Sequence, residues 1–186
     1  EREVGSDSIY VLHKKICYPS DSDQLINIEC TVHTYTWQGS TFQIDERTTT
    51  LPVVATTQNG SGTANSRKEK FNAYGQVMWV LDERGYIDGF TYDLVTGAMT
   101  QRVRDASSGT PWTPIVGITH LNLTTDYTVD SYGRRTQELG PTHSIDISGT
   151  NTSIRSALWT VYKDDDHEVW TGRGYQKTSD SSFTLI

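Results

Sequence analysis

Along much of this 186-residue chain apolar and polar residues alternate with a period of two, the spacing of strands with one face covered. Ile26, Ile28, Cys30 and Val32 alternate onto one face of a strand predicted over Leu25 to Trp37, and Tyr10 to Tyr18 is predicted as the strand before it. Gln38-Gly39-Ser40 reads as a hairpin turn. Thr41 to Val54 reads as extended, interrupted at Pro52, which lacks the N–H of a central strand. Residues 56–67, Thr56 to Arg67, are polar and rich in Gly, Ser and Asn, and predict a long exposed loop.

From Phe71 one unit recurs: an apolar or aromatic residue, Asp or Asn, two or three spacers, Gly, and a return to apolar residues. The copies are centred on Asn72 and Gly75, Asp82 and Gly85, Asp93 and Gly97, and, further on, Asp130 and Gly133. Each reads as strand, tight turn, strand. The Asx side chain bonds the backbone ahead of it, and Gly takes the positive φ that the turn requires. Val161 to Val169 is a degenerate fifth copy without Gly. The glycines are spaced by 10, 12 and then 36 residues, so the array is imperfect and carries insertions. Arg104 to Pro114 reads as a loop and Leu121 to Val129 as a strand. One hairpin cannot bury its apolar face alone; stacked copies share a sheet.

Composition agrees. Thr occurs 27 times, Leu 10 and Ala only 6, a balance that favours a pleated surface over helices. The fold class is all-β, an antiparallel hairpin array forming a spiralling or extended sheet, with 1–186 as a single β-rich repeat segment. The formal net charge of −7 argues against a nucleic-acid partner, which selects basic patches, and against docking on anionic membranes. No stretch approaches the ~20 apolar residues of a membrane-spanning helix. Both ends read as cut from a longer chain: Glu1-Arg2-Glu3 opens it, and the strand-like Ser182 to Ile186 closes it.

The repeated units resemble the RHS/YD-repeat family, named partly for the Tyr-Asp pair present here as Tyr92-Asp93. The resemblance covers Phe71 to Val169. Thr48 to Met99 and Thr125 to Trp170 are especially similar to the long RHS-repeat proteins of planctomycete-type bacteria. It implies a secreted or cell-surface protein whose repeats form a long spiralling sheet, closed around a cargo in toxin-related members and built into a rigid extracellular barrel in teneurin-like ones. It also implies that the repeats are scaffold and that chemistry lies in a separate terminal domain. The Asp-Pro-x-Gly motif marking the self-cleaving end of a toxin shell has no counterpart here.

Candidate chemistry is sparse. Asp164-Asp165-Asp166-His167-Glu168 is the densest group of possible metal ligands, but adjacent strand residues point to opposite faces and the Asp-x-Asp-x-Asp-Gly loop is missing, so it reads as an exposed turn. His13, His33, His120, His143 and His167 form no HExxH pair, and no GxSxG elbow is present. No enzyme activity, cofactor or metal is expected.

Trp37, Trp79, Trp112, Trp159 and Trp170 read first as cross-strand packing residues. Trp112, in a Pro-rich loop, is the best candidate for stacking on a glycan. Asn59, Asn122 and Asn151 open glycosylation-type triplets, without meaning in a bacterial chain. With a turn centred near Asp21, Cys17 would face about Ile26 and Cys30 about His13, an offset of about four residues or roughly 13 Å, too far for a disulfide.

The expected role is structural: a scaffold segment of a large extracellular or cell-surface protein that self-associates as part of a shell or fibre. Its partners would be neighbouring repeats or identical copies meeting end to end through the edges at Tyr10 to Tyr18 and Phe183 to Ile186. The alternative is an adhesin-like module that binds glycans through aromatic loop residues.

Overall fold

The computed structural model describes residues 1–17 and 29–186, with the side chain of Glu29 left aside. The chain is all-β, with one short 3-10 helix at Thr56–Gln58. It forms two compact units: Glu1–Ile87 with Thr110–Val116, and Asp88–Gly109 with Gly117–Ile186. The division falls between Ile87 and Asp88, inside the repeated region, and not at the polar loop of 56–67.

The first unit opens with a small hairpin of β1 (Arg2–Val4) and β2 (Asp7–Ile9), turned at Gly5 with φ +63°. Arg2 donates 2.8 Å to the Gly39 carbonyl and lies 5.7 Å from the Trp37 ring centroid. The sheet proper runs β3 (Lys14–Cys17), β4 (Glu29–Trp37), β5 (Ile44–Thr50), β6 (Ser66–Phe71) and β7 (Val77–Leu81), each antiparallel to the next. The second unit holds β8 (Ile87–Tyr92) from Asp88 on, β9 (Met99–Arg104), β10 (Leu123–Val129), β11 (Arg135–Ile147), β12 (Thr150–Lys163), β13 (Glu168–Lys177) and β14 (Phe183–Leu185), each antiparallel to the next. Among the described residues β3 pairs with β4 at one end of the first unit's ladder, and β14 with β13 at one end of the second unit's.

The core is thin. Among the described residues the buried apolar side chains are Ile87, Ala106, Ile154 and Ala157, whereas large apolar residues such as Leu94, Val116, Trp170 and Leu185 stay exposed. Cohesion within each unit comes from ladders and cross-strand pairs more than from a filled interior. On β6 the buried Glu69 carboxylate is met by Arg47 of β5 across the ladder and by Arg67 two residues before it. Burying a polar group costs free energy unless it is hydrogen-bonded.

Several predicted boundaries shift. The first sheet strand begins at Lys14, just after His13, whose carbonyl accepts His33 N–H at 2.7 Å. The predicted turn at Pro19 to Asp23 lies outside the described residues. The expected four-residue offset of the cysteines is wrong: the ladder pairs Ile16 with Cys30 and Cys17 with Glu29, an offset of one. Both cysteines are nevertheless free, because an offset of one puts the two side chains on opposite faces. Of the predicted polar loop of 56–67, Ser66 and Arg67 belong to β6. The loop is organised by the 3-10 turn, by Asn59 at φ +63°, and by Gly60 N–H donating 3.0 Å to the Ala55 carbonyl.

Candidate functional site

The repeated turns are alike atom by atom. In the turn joining β6 to β7, Asn72 Oδ1 accepts from the N–H groups of Tyr74 (2.9 Å) and Gln76 (3.0 Å), and Gly75 N–H donates to the Asn72 carbonyl at 3.0 Å. Asp82 Oδ1 does the same with Arg84 (3.0 Å) and Tyr86 (2.8 Å), and Asp130 Oδ1 with Tyr132 and Arg134 (both 2.9 Å). Gly85 and Gly133 N–H groups each donate 3.0 Å to the Asp carbonyl three residues back.

The copy at Asp93 has one more spacer. There Oδ1 accepts from Val95 N–H (3.1 Å), Thr96 N–H (2.7 Å) and Thr96 Oγ1 (2.8 Å), and these bonds, Thr96 N–H first, hold its carboxyl below the usual carboxylate range. Gly75, Gly85, Gly97 and Gly133 have φ of +78°, +92°, +72° and +77°. These are hairpin loops closed by a glycine bulge, and the ladder slips at Phe71, Tyr92 and Val129, where the loops begin. The eight turn residues named from the sequence therefore serve one local purpose, repeated four times.

The degenerate fifth copy closes differently. His167 occupies the left-handed position at φ +57°, and Lys163 pairs with Glu168. Asp164 is engaged by Arg134, at 2.5 Å from Nη1 and 3.0 Å from Nη2, while Arg134 Nε reaches Asp130 at 2.7 Å. The guanidinium lies 4.2 Å from the Tyr162 ring centroid and 5.0 Å from that of Tyr132. Its hydrogen bonds to Asp164, then to Asp130, raise the Arg134 pKa; the same bond is the main reason the Asp164 carboxyl is lowered. At Asp130 partial burial works upward, and the Arg134 bonds outweigh it. This cluster ties the fourth turn to the fifth, a link invisible in sequence because 30 residues separate Arg134 from Asp164. Among the described residues no three His, Cys, Asp or Glu side chains gather as metal ligands.

Sequence reasoning also missed Asp105 and His120. Asp105, at φ +53°, places Oδ1 2.5 Å from His120 Nδ1 and accepts Leu121 N–H on Oδ2 at 2.7 Å. The two residues clasp the base of the insertion between β9 and β10, where Asn122 Oδ1 also accepts from Ser107 N–H at 2.9 Å. In sequence the clasp shows only as an Asp and an Asn, residue types that tolerate the left-handed backbone both adopt here. Trp112 is half-buried, and its indole N–H donates 3.1 Å to Glu46 on β5. The bond is internal to the first unit.

An exposed apolar and aromatic surface lies at the last strands. Cross-strand register sets Val161 beside Trp170, Trp159 beside Gly172, and Gly174 beside Leu185, all on one face. Gly172 leaves a gap between these side chains, and Trp159, Val161, Trp170, Phe183 and Leu185 line the resulting apolar groove. Phe183 meets Trp159 edge to face at 5.4 Å. Trp170 is 54% exposed, with Lys163 Nζ 3.8 Å from its ring centroid.

No protein-family model and no curated protein matches the chain.

Proposed function

We propose that this chain is a structural repeat scaffold, a segment of a large secreted or cell-surface protein of RHS/YD type, which builds sheet by adding hairpins and associates through its strand edges. The observation that carries this reading is the recurrence of one kind of hydrogen-bonded Asx turn at Asn72, Asp82, Asp93 and Asp130, each between successive strands. A turn that fixes its own geometry through one Asx and one Gly lets the intervening strands vary while the array keeps its register. The thin core and the exposed apolar residues of β14 fit a module whose faces and edges are covered by neighbouring repeats or identical copies.

The test is a dilution series by light scattering on the 186-residue chain and on a variant lacking Phe183 to Ile186. The reading expects mass that grows with concentration for the full chain and falls for the shortened one. A strictly monomeric full chain overturns the self-association.

A second reading is favoured by the groove around Gly172: an adhesin-like module in which Trp170, and not the loop Trp112, stacks on a sugar ring. Glycan-array binding that disappears with Trp170→Ala would select it.

A further inference from the structure

The geometry points to a head-to-tail sheet junction in which β14 of one copy pairs antiparallel with β3 of the next, with Phe183 opposite Ile16 and Leu185 opposite Lys14. This rests on the self-association reading and names the edges, direction and register that it leaves open.

Ladder alternation decides which peptide groups each edge offers. Lys177 N–H donates to the Ser182 carbonyl at 2.9 Å, and Ile186 N–H to the Arg173 carbonyl at 2.9 Å. Residues 182, 184 and 186 therefore turn their peptide groups toward β13, and Phe183 and Leu185 turn theirs to the outer edge. On β3, His33 N–H donates to the His13 carbonyl at 2.7 Å, and Lys15 and Cys17 face Thr31 and Glu29 in the same phase. Lys14 and Ile16 therefore present theirs outward. Two outward residues on each strand form two reciprocal hydrogen-bonded pairs.

The same register matches the faces. Directly opposed residues of an antiparallel pair share a face. Phe183 and Leu185 lie on the face of Trp159. Ile16 lies opposite Cys30 and Lys14 opposite Val32, so they stand on the face of those two residues. Pairing the outward groups brings Phe183, 48% exposed, against Ile16, 41% exposed, and continues one apolar face into the other. A slip of one residue would set outward groups against inward ones and lose both the bonds and the face.

Charge favours unlike edges. Ser182 to Ile186 carries no ionisable side chain, whereas β3 carries Lys14 and Lys15. Two β3 edges would set lysines against lysines; a β14 edge meets them without repulsion. A contact between two different patches also propagates from copy to copy.

In this register Ser182 stands opposite Cys17. Both turn their peptide groups away from the junction, so they form its closer kind of pair, with Cα atoms about 4.5 Å apart, within disulfide range. The chain carrying Ser182→Cys and Cys30→Ser, mildly oxidised and run on a non-reducing gel, should give a ladder of dimers, trimers and higher species. The ladder should vanish when Cys17→Ser is added. Light scattering on the same samples separates the two levels. Association without a 182-to-17 link, or a closed dimer joined 182 to 182, overturns this junction and leaves the scaffold reading standing. A monomer at every concentration overturns both.

Discussion

Gly133 sits against Thr96: a Cβ built on Gly133 would lie 3.1 Å from Thr96 Cβ, with Ala98 Cβ at 3.4 Å. One repeat's turn thus rests on the turn of an earlier repeat across 37 residues of sequence, and the glycine is required both for its φ of +77° and for the space it leaves. Gly75 has the same backbone at φ +78°, but a Cβ there would meet only the side-chain amide of Gln43, at an ordinary 3.6 Å. Gly75→Ala is therefore expected to cost about 1 kcal/mol from backbone strain alone. Gly133→Ala should cost more, because strain and crowding combine. Urea unfolding midpoints of the two variants check the order.

Asn72 makes with Oδ1 the bonds that Asp82 makes with Oδ1, so a neutral amide suffices for the turn. Asp82→Asn should leave stability within about 0.5 kcal/mol, and Asp82→Ala should lose about 1 kcal/mol as two N–H groups lose their acceptor. Asp130→Asn should be worse than Asp82→Asn, because only Asp130 also pairs with an arginine of its own turn. Equal effects of the two Asn variants would show that the Arg134 pair contributes nothing.

Asp130 and Asp164 both titrate below the usual carboxylate range in the folded chain, held there by Arg134. A depressed folded pKa contributes stability that is fully present above the unfolded value, near 3.9, and is lost as pH falls through the folded value. Acidification below about pH 4 should therefore loosen the link between the fourth and fifth turns. Thermal melts between neutral and acid pH should show the wild-type midpoint falling more steeply than that of Asp164→Asn.

Gly174 has no room for a side chain: a Cβ there would lie 2.0 Å from the Thr184 carbonyl oxygen and 3.0 Å from Trp159 Cζ3. Gly174→Ala should push β14 off β13 at a local cost of about 1–3 kcal/mol and release Phe183 from Trp159. Near-UV circular dichroism should report the lost aromatic contact, and the concentration-dependent mass should fall as it does on removing the last four residues.

Cys17 and Cys30 stand one residue apart across the first hairpin, with side chains on opposite faces. Intact mass after air oxidation at low concentration should retain both thiols. A mass two daltons lower would place them on the same face and refute the register of β3 on β4.

The repeat was legible in the sequence because its causes are local. An Asx bonding N–H groups two to four residues ahead and a glycine at positive φ act within six residues, so Asn72 to Gly75 and its three kin could be read without knowing their neighbours. Period-two alternation likewise specified strands, and the all-β class followed. Tertiary structure alone decided which residues oppose one another. Ladder register depends on the whole hairpin, so a small error in placing one turn displaced Cys30 from Ile16 to His13 in the reading from sequence. The Arg134–Asp164 and Asp105–His120 pairs, the Trp112 anchor on Glu46 and the Gly172 groove all join residues distant along the chain. No periodicity encodes such contacts; they arise only when the strands are laid side by side.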